Sequence, residues 1–331
     1  MIVYSKSSGL NNAAIGRLET PIKMIIEHES DLLTRKGGIR DSLFNVEKSS
    51  RFGETIVGTN EFGVFSATAE GEAAESDTVN EVYSKFIEHI QFMKEFTVTA
   101  EMMEDAVVGI AADAKRRAEG FTRAYYKTMN KICESALVNG LSSTASFANA
   151  TLDLTTPDGC PLFSSNHAYG EDGDGKQSNY FYGKIFDDTA ASCDVFEESL
   201  YELSVKLRNM RDENGEPLGY TADTIILPGN RPVAEAIAKK ACGSFGSSDS
   251  VNLNFGAWRV IVLPGWQASD NRVMIMSSEA NKNLAGNMFF NRVPLTVTSW
   301  IDNHTGNYVW NGRCRFGVGF GSYKHILPPG P

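Results

Sequence analysis

The feature that most constrains this chain is one very long helical pattern. Apolar residues recur at three- and four-residue steps from Thr99 to Asn139, and Gly140 follows as a stop signal. If continuous, its roughly 40 residues would form a helix about 60 Å long, whereas a compact chain of this size has a radius of gyration of about 20 Å. The pattern therefore predicts an elongated subunit. Gly109 and Gly120 each disfavour a helix by about 1 kcal/mol, so a bend or a break is expected there if anywhere.

A β-type stretch precedes this helix. Residues 51–69 and 79–98 predict two strands joined by an acidic tip, AEGEAAESDT, with arms of about 40–50 Å at about 3.3 Å per residue. The second arm also fits a helical face, but the shared parity of Phe86, Ile90 and Val98 favours a strand. A two-stranded ribbon is marginally stable in water, and its edges invite pairing. The ribbon is therefore expected to lie on another subunit.

One amphipathic helix is predicted near the N-terminus. Thr20 is its expected N-cap, Pro21 its first residue and Gly37 its stop. Residues 1–50 offer no obvious local partner for its apolar side. This segment, like the ribbon, therefore indicates an assembly.

The second half of the chain alternates helices and strands. A helix that carries Phe196 and Met210 is expected to end at Asn214-Gly215, and a strand, a short helix and two more strands follow it. This order predicts a small α/β unit over residues 187–280. The chain then continues as hairpin-like β structure, for which Asn311-Gly312 is the expected turn.

The segment RFGVGFGSY places glycines at alternate positions. A phosphate-binding loop needs glycines that open a helix, and here neither the spacing nor the following sequence fits. In a strand, Gly317, Gly319 and Gly321 lie on one face, while Phe316 and Phe320 lie on the other. The prediction is a packing device: the bare face admits a neighbouring backbone and the aromatic face enters the core. No cofactor is predicted.

Two other groups of polar residues resemble sites. Cys160 and His167 suggest a thiol–imidazole pair or metal ligands, but their spacing matches no zinc pattern, so a structural role is expected. The acidic run 171–175 resembles the start of a calcium loop, yet position twelve of that loop is Gly183, so a solvated turn is expected. The sequence thus predicts no catalytic residue and no metal ligand.

The composition argues against several classes of partner. The formal net charge is −10, whereas general nucleic-acid binding requires a basic face. No apolar run reaches the roughly 18 residues that span a bilayer. The five cysteines are an odd number without a C-x-x-C pair, which suggests reduced thiols in a cytosol. The first residues lack the basic and apolar regions of a signal peptide, so nothing suggests secretion.

The order of these elements resembles that of a known family. An N-terminal arm, a ribbon, a long helix, an α/β unit and a returning β segment resemble the major capsid protein of tailed bacteriophages, the Hong Kong 97-type fold, and the local sequence looks closest to the Mu-like major head subunit group. The segments that carry the resemblance are EFTVTAEMMEDA, NKICESALVNG, DGCPLFSSNHAYG and WNGRCRFGVGFGSYKHI.

The resemblance implies an α+β capsid fold with a defined division of the chain. Residues 1–50 would be the N-arm and 51–98 the extended β-ribbon, or E-loop. Residues 99–186 would hold the spine helix and the first part of the peripheral (P) domain. Residues 187–280 would form the axial (A) domain, and 281–331 would complete the P domain.

The resemblance also implies a function. The chain would be a structural, non-enzymatic subunit that assembles through pentamers and hexamers into an icosahedral head. The head would enclose double-stranded DNA without binding it specifically. The possible further partners are scaffold, portal and decoration proteins, and no membrane is expected. The expected location is the virion, assembled in the bacterial host cytoplasm.

Two other functions stay open. An encapsulin-like nanocompartment shell would keep the fold and change the cargo, and a cytosolic hydrolase would use Cys160 and His167.

The chain departs from some members of the family in one respect. Some members join subunits through an E-loop lysine, but no lysine occurs here between Lys48 and Lys85. A shell of non-covalent contacts is therefore expected.

Overall fold

The computed structural model describes residues 3–4, 13–59, 65, 67–73, 81–104, 112–169, 175–180, 193–243, 254–269 and 273–328. Within these residues the helices are α1 (Ala13–Lys36), α2 (Ile39–Leu43), α3 (Ala100–Glu104), α4 (Ala112–Val138), α5 (Cys193–Arg208), α6 (Pro232–Ala241) and α7 (Ser278–Asn283). The strands are β1 (Val3–Tyr4), β2 (Asn45–Lys48), β3 (Gly53–Thr59), β4 (Glu81–Glu88), β5 (Ile90–Val98), β6 (Thr144–Phe147), β7 (Ala150–Asp153), β8 (His167–Tyr169), β9 (Gly175–Gln177), β10 (Thr224–Pro228), β11 (Arg259–Leu263), β12 (Met274–Met276), β13 (Asn287–Ile301), β14 (Tyr308–Phe320) and β15 (Ile326–Leu327).

A five-stranded sheet forms the centre of the subunit. Its order is β1-β13-β14-β5, with β2 added on β13. The long antiparallel pair of β13 and β14 carries a buried side chain at every second position near Leu295, Val297 and Ser299, as expected for a strand with one covered face. The side chains of Leu295, Val297 and Trp310 pack against Phe121 of α4. The spine-like helix α4 therefore covers one part of this sheet.

The N-terminal helix differs from its prediction in two ways. It begins at Ala13, so Pro21 lies inside it, because the one hydrogen bond that a proline removes does not outweigh a helix-forming sequence on both sides. It also has a partner in its own subunit: Ile22 and Ile26 are fully buried in a cluster with Phe121 of α4. The expectation that this helix has no partner in its own subunit is wrong.

The end of α1 agrees with its prediction. Gly37 follows the last helical residue with φ +68°, a conformation that a glycine adopts without strain. The hydroxyl of Tyr126 on α4 lies 2.7 Å from Ser30 Oγ and 2.8 Å from Thr34 Oγ1. These polar contacts extend the α1–α4 packing toward the C-terminal end of α1.

The long helical pattern is present in two described parts, α3 and α4. Residues 105–111, which include Gly109, lie outside the described residues. Helix α4 alone is about 40 Å long at 1.5 Å per residue, and Gly120 lies within it without ending it. The helix ends at Val138, close to the predicted stop at Gly140, whose N–H donates to the carbonyl of Leu137.

The ribbon is present, and the choice of strand over helix for its second arm is confirmed. Strands β3 and β4 pair antiparallel from Gly53 opposite Glu88 to Thr59 opposite Glu81. The second arm is nevertheless shorter than predicted, because it divides at His89. Strand β5 leaves the ribbon and pairs with β14 in the central sheet. Residues 60–64, 66 and 74–80 lie outside the described residues, and they include the second half of the predicted acidic tip, residues 74–78.

The parity of the buried side chains, odd-numbered or even-numbered, changes at His89, between β4 and β5. In β4 the buried residues are Lys85 and Ile87, whereas Phe86 is 51% exposed. In β5 the covered apolar residues Ile90, Phe92, Phe96 and Val98 are even-numbered, although Lys94 is exposed. The shared parity on which the strand prediction rested therefore held only for β5.

A second sheet, ordered β11-β10-β12-β15, forms the core of an α/β unit. All five residues of β10 are buried, as expected for a central strand covered on both faces. Helix α5 packs in this core through Phe196, Leu203 and Leu207, but it ends at Arg208 and not at the predicted Asn214. The predicted order of strands and helix is confirmed, and the end of the chain, β15, adds an edge strand that the sequence did not indicate.

The turn of the C-terminal hairpin was predicted at the wrong place. Asn311-Gly312 lies in the middle of β14, with Gly312 opposite Val297, and the turn occupies residues 302–307. In this turn the Gly306 N–H donates to the Asp302 carbonyl over 2.8 Å, and Gly306 has φ +71°. Gly312 is needed for another reason: a Cβ there would lie 3.0 Å from Cε2 of Phe121.

Candidate functional site

The alternating glycines lie where strand β14 ends. Gly317 and Gly319 are within β14, opposite Phe290 and Met288 of β13, and Gly321 is the first residue after the strand. Phe316 and Phe320 are fully buried in the main core. Phe316 stacks on Phe92 of β5 with ring centroids 4.7 Å apart. We call Gly317, Gly319 and Gly321 the glycine face.

The base of the ribbon lies directly against the glycine face. A Cβ at Gly317 would be 2.9 Å from the carbonyl oxygen of Glu88, and one at Gly319 would be 2.7 Å from Cγ1 of Ile87. At Gly321 the nearest ribbon atom would be Cγ2 of Ile56, at 2.9 Å. Real Cβ contacts lie at about 3.4–4 Å. Any larger residue on this face would therefore displace the ribbon or the strand.

Three residues hold the ribbon where it leaves the body, and we call Phe52, His89 and Arg315 the ribbon root. The carbonyl oxygen of Phe52 lies 2.7 Å from His89 Nδ1, so the two arms are joined at their base. The guanidinium group of Arg315 donates to the carbonyl of His89 over 3.2 Å and to that of Phe52 over 3.5 Å. Its centre also lies 5.0 Å from the ring centroid of Phe52, a cation–π distance. Sequence reasoning missed this role of Arg315.

The described part of the ribbon exposes large apolar side chains. Phe65 is fully exposed, Phe52 is 60% exposed and Phe86 is 51% exposed. The rings of Phe52 and Phe86 stack with centroids 6.4 Å apart. Exposed aromatic groups that lie together are typical of surfaces that another protein covers.

Lys85 fixes the ribbon to a neighbouring loop. This lysine is 7% exposed, and its ammonium group contacts the carboxylate of Asp153 and the hydroxyl of Thr155. Burial by itself would raise the pKa of Asp153, but hydrogen bonds from Lys85 and Thr155 outweigh it and leave that pKa below its ordinary value. The lysine nearest to the ribbon tip is thus occupied within its own subunit.

The structure also brings Cys160 and His167 together, with Asp158 beside them. The ligating atoms of the three side chains all lie within 4.8 Å of one another. His167 is fully buried; its Nδ1 is 2.7 Å from Asp158 Oδ2, and its Nε2 is 3.2 Å from the carbonyl oxygen of Leu162. Its ring stacks on Tyr323 at a centroid distance of 3.6 Å.

This arrangement gives no support to the hydrolase hypothesis. A general base must accept a proton from the thiol, but both ring nitrogens of His167 face oxygen acceptors. Burial first, and the charge of Asp158 second, raise the pKa of the Cys160 thiol, which disfavours the reactive thiolate. The acidic run that resembled a calcium loop lies outside the described residues from Glu171 to Asp174.

Together, the ribbon, the helix α4, the central sheet and the α/β unit define the class of fold. The chain has the α+β Hong Kong 97-type capsid fold. None of the helices in the described ranges combines the length and apolarity needed to cross a membrane.

Solved structures of a phage capsid, a virus-like particle and a phage-related protein share this fold. The capsid of Myoviridae phage XM1 superposes with a TM-score of 0.51 at 14% identity, over 88% of this chain and 92% of that chain. A virus-like particle from Pyrococcus furiosus gives 0.53 at 10% identity, over 94% and 98%. A phage-related protein from Bordetella bronchiseptica gives 0.51 at 12% identity, over 93% and 96%. No family model matches the sequence, and no curated protein matches it.

Proposed function

We propose that this chain is a structural major capsid protein, which assembles through pentamers and hexamers into an icosahedral phage head that encloses double-stranded DNA. The observation that carries the proposal is the shared fold, which extends over 88% of the chain for the XM1 capsid and 94% for the Pyrococcus particle. Because the likeness extends over most of the chain, it concerns the whole subunit and not one common motif. The more specific assignment to the Mu-like group stays a prediction.

The ribbon supports a role in contacts between subunits. It is held firmly at its root by Arg315 and His89, yet it exposes Phe65 and Phe86 along its length. A rigid base combined with an apolar surface is suited to reaching a neighbouring subunit in a fixed direction. Within the capsid division of the chain, we assign this ribbon to the E-loop at 51–98.

The rest of the proposed division is the one that the family resemblance implies. Residues 1–50 would be the N-arm, although α1 packs on α4 of its own subunit. Residues 99–186 would supply the spine helix and the first part of the P domain, 187–280 the A domain, and 281–331 the remainder of the P domain. On this assignment, β5 is the ribbon segment that returns into the P-domain sheet.

The glycine face has a packing role in this proposal. Gly317, Gly319 and Gly321 allow the ribbon base to approach β14, while Phe316 and Phe320 anchor the same strand in the core. The face therefore sets the direction in which the ribbon leaves the body. It binds no ligand.

The remaining properties follow from a shell function. The protein is not an enzyme, its main partner is itself, and scaffold, portal and decoration proteins are possible further partners. Its net charge of −10 suits a wall that encloses DNA without a specific binding site. The location is the virion, after assembly in the host cytoplasm. Because no lysine occurs between Lys48 and Lys85 at the ribbon tip, the contacts between subunits are expected to be non-covalent.

Electron microscopy and cargo analysis test this function. The full chain, expressed alone and concentrated, is expected to form closed shells in negative stain. Particles from infected or induced cells are expected to contain nuclease-protected double-stranded DNA. An encapsulin-like shell, which the fold comparison does not favour over a phage head, would contain a protein cargo instead. A chain that stays monomeric under all assembly conditions would contradict the proposal.

A further inference from the structure

The cluster of Asp158, Cys160 and His167 is not used by the shell function. Carboxylate, thiolate and imidazole are the three ligand types that Zn²⁺ takes in proteins. The ligating atoms lie within 4.8 Å of one another, and they come from one tight turn and the first residue of β8. In that turn, Gly159 has φ +79° and its N–H donates to the Thr156 carbonyl over 2.9 Å. The backbone thus brings Asp158 and Cys160 to the same place.

The carboxylate of Asp158 is oriented by its neighbours. Its Oδ1 accepts hydrogen bonds from the Thr156 hydroxyl over 2.5 Å and from the Cys160 N–H over 3.2 Å. This leaves Oδ2 for the histidine side of the cluster, where it lies 2.7 Å from Nδ1 of His167. Carboxylates that bind metals are usually fixed in this way by hydrogen bonds to the other oxygen.

The imidazole of His167 is fixed as well. Its Nε2 faces the carbonyl oxygen of Leu162 at 3.2 Å, which is the contact that a metal-bound histidine usually makes with its other nitrogen. Its ring lies 3.6 Å from that of Tyr323, nearly parallel at 3°. Tyr323 is held in turn, because its hydroxyl donates to the Ala168 carbonyl and accepts from Gln177. The ring therefore has one defined orientation.

The surroundings of His167 leave one of its nitrogens for a metal. The ring is completely buried, its Nε2 faces the Leu162 carbonyl, and its Nδ1 faces Asp158 Oδ2. A cation bound by Nδ1 and Oδ2 would leave Nε2–H to donate to Leu162.

We infer that Asp158, Cys160 and His167 form a binding site for a divalent transition metal, with Zn²⁺ the expected ion. Bonds of about 2.0–2.3 Å in a tetrahedral site put the ligand atoms about 3.4–3.7 Å apart. Nδ1 and Oδ2 must then separate by about 0.7 Å, and Cys160 Sγ must move by no more than about 1 Å. Cys160 is partly exposed, so the ion has an entry path and a water molecule completes the fourth position.

Binding has a defined proton balance. The metal replaces the proton of the Cys160 thiol, which is released to solvent. A neutral His167 ring keeps its one proton, on Nε2, whereas a charged ring releases a second proton from Nδ1. No oxidation or reduction takes place. The ion would connect the turn at Thr156 to β8 and, through the stacked Tyr323, to the segment that follows the glycine face.

Cobalt substitution tests the site in the untagged full chain. Co²⁺ replaces Zn²⁺ in such sites, and its thiolate charge-transfer band appears only when a cysteine sulfur is bound. We expect this band to saturate at one Co²⁺ per chain, to disappear when Zn²⁺ is added, and to be absent from Cys160→Ser. The matched control is Cys242→Ser, which removes another partly buried free thiol and should leave the band unchanged.

Thermal unfolding gives a second readout. In EDTA, Cys160→Ser and the wild-type chain should unfold at the same temperature, which shows that the variant folds. Excess Zn²⁺ should then raise the unfolding temperature of the wild-type chain only. The absence of a thiolate band in the wild-type chain, or an equal band or an equal Zn²⁺ shift in Cys160→Ser, would overturn the inference and leave a structural Asp–His pair.

Discussion

Replacing Gly319 with valine tests the packing account of the glycine face most directly. Valine is a good strand residue, so its intrinsic propensity would favour the substitution. The structure predicts the opposite outcome. The new Cβ would lie 2.7 Å from Cγ1 of Ile87, whereas ordinary contacts begin at about 3.4 Å, so the ribbon must retreat by at least about 0.7 Å.

Ile87 cannot make this room by turning into solvent. It is 4% exposed and packs in a small cluster with Met288 and Phe290 of β13. Overpacking of this kind costs about 1–3 kcal/mol, and the two methyl groups of valine place Gly319→Val at the upper end of that range. Gly319→Ala should fall at the lower end.

The free energy of unfolding is measured by urea denaturation of dissociated subunits, and the particle yield by sedimentation. We expect Gly319→Val to lower the free energy of unfolding and the particle yield, because the strain is relieved either when the subunit unfolds or when the base of the ribbon moves away from β14. Gly120→Ala is the matched control: no atom lies within 4 Å of its new Cβ, and the residue is inside α4, so it should gain about 1 kcal/mol.

Three outcomes separate the explanations. A Gly319→Val chain that assembles normally, with a free energy of unfolding within about 0.5 kcal/mol of wild type, would refute the packing account. Lost nucleotide binding with an intact fold would instead indicate a phosphate loop. Lower stability or yield without any nucleotide effect is the predicted result.

Three further predictions concern the ribbon, the shell and a buried histidine. Deleting about Gly58 to Thr78 should leave a soluble, folded subunit that forms no closed shells in electron micrographs; normal particles would contradict the intermolecular role of the ribbon. Shells boiled with reductant should run as monomers in denaturing electrophoresis, and covalent ladders would contradict the non-covalent contacts inferred from the absence of a lysine between Lys48 and Lys85. Complete burial lowers the pKa of His325 from 6.5 to about 3, so protonation favours the unfolded chain and stability falls as the pH drops below 6.5. At pH 5 the loss from this group is about 2 kcal/mol relative to neutral pH, and His325→Gln should remove that part of the pH dependence of urea unfolding.

The sequence predicted the elements whose signal is local. The steps of three and four residues along α4 and the buried run of β10 are each decided by nearby residues, and both elements were predicted correctly. The order of elements was enough to indicate the capsid fold. Gly37 likewise ends α1 through its own backbone conformation.

The predictions that were wrong concern elements that are decided by contacts between residues distant in the sequence. Asn311-Gly312 has the composition of a hairpin turn, but Gly312 is selected by the ring of Phe121, which is far away in the sequence. The division of the second ribbon arm at His89 depends on β14, which offers β5 a partner that the ribbon does not.

In the candidate site, too, the contacts between residues distant in the sequence could not be predicted. The alternation of Gly317 and Gly319 could be recognised from the sequence, but the atoms that face them belong to Ile87 and Glu88. Neither the turn that places Asp158 beside His167 nor the contact of Arg315 with both ribbon arms follows from residue spacing.

The position of β15 has a consequence for how the subunit unfolds. Ile326 and Leu327 are fully buried and pair with β12, and only residues 321–325 separate them from β14 of the central sheet. The Ser277 N–H also donates to the carbonyl of His325 in this connection over 3.0 Å. The two sheets are thus joined by a short buried segment, so we expect them to lose their amide-exchange protection in one cooperative step.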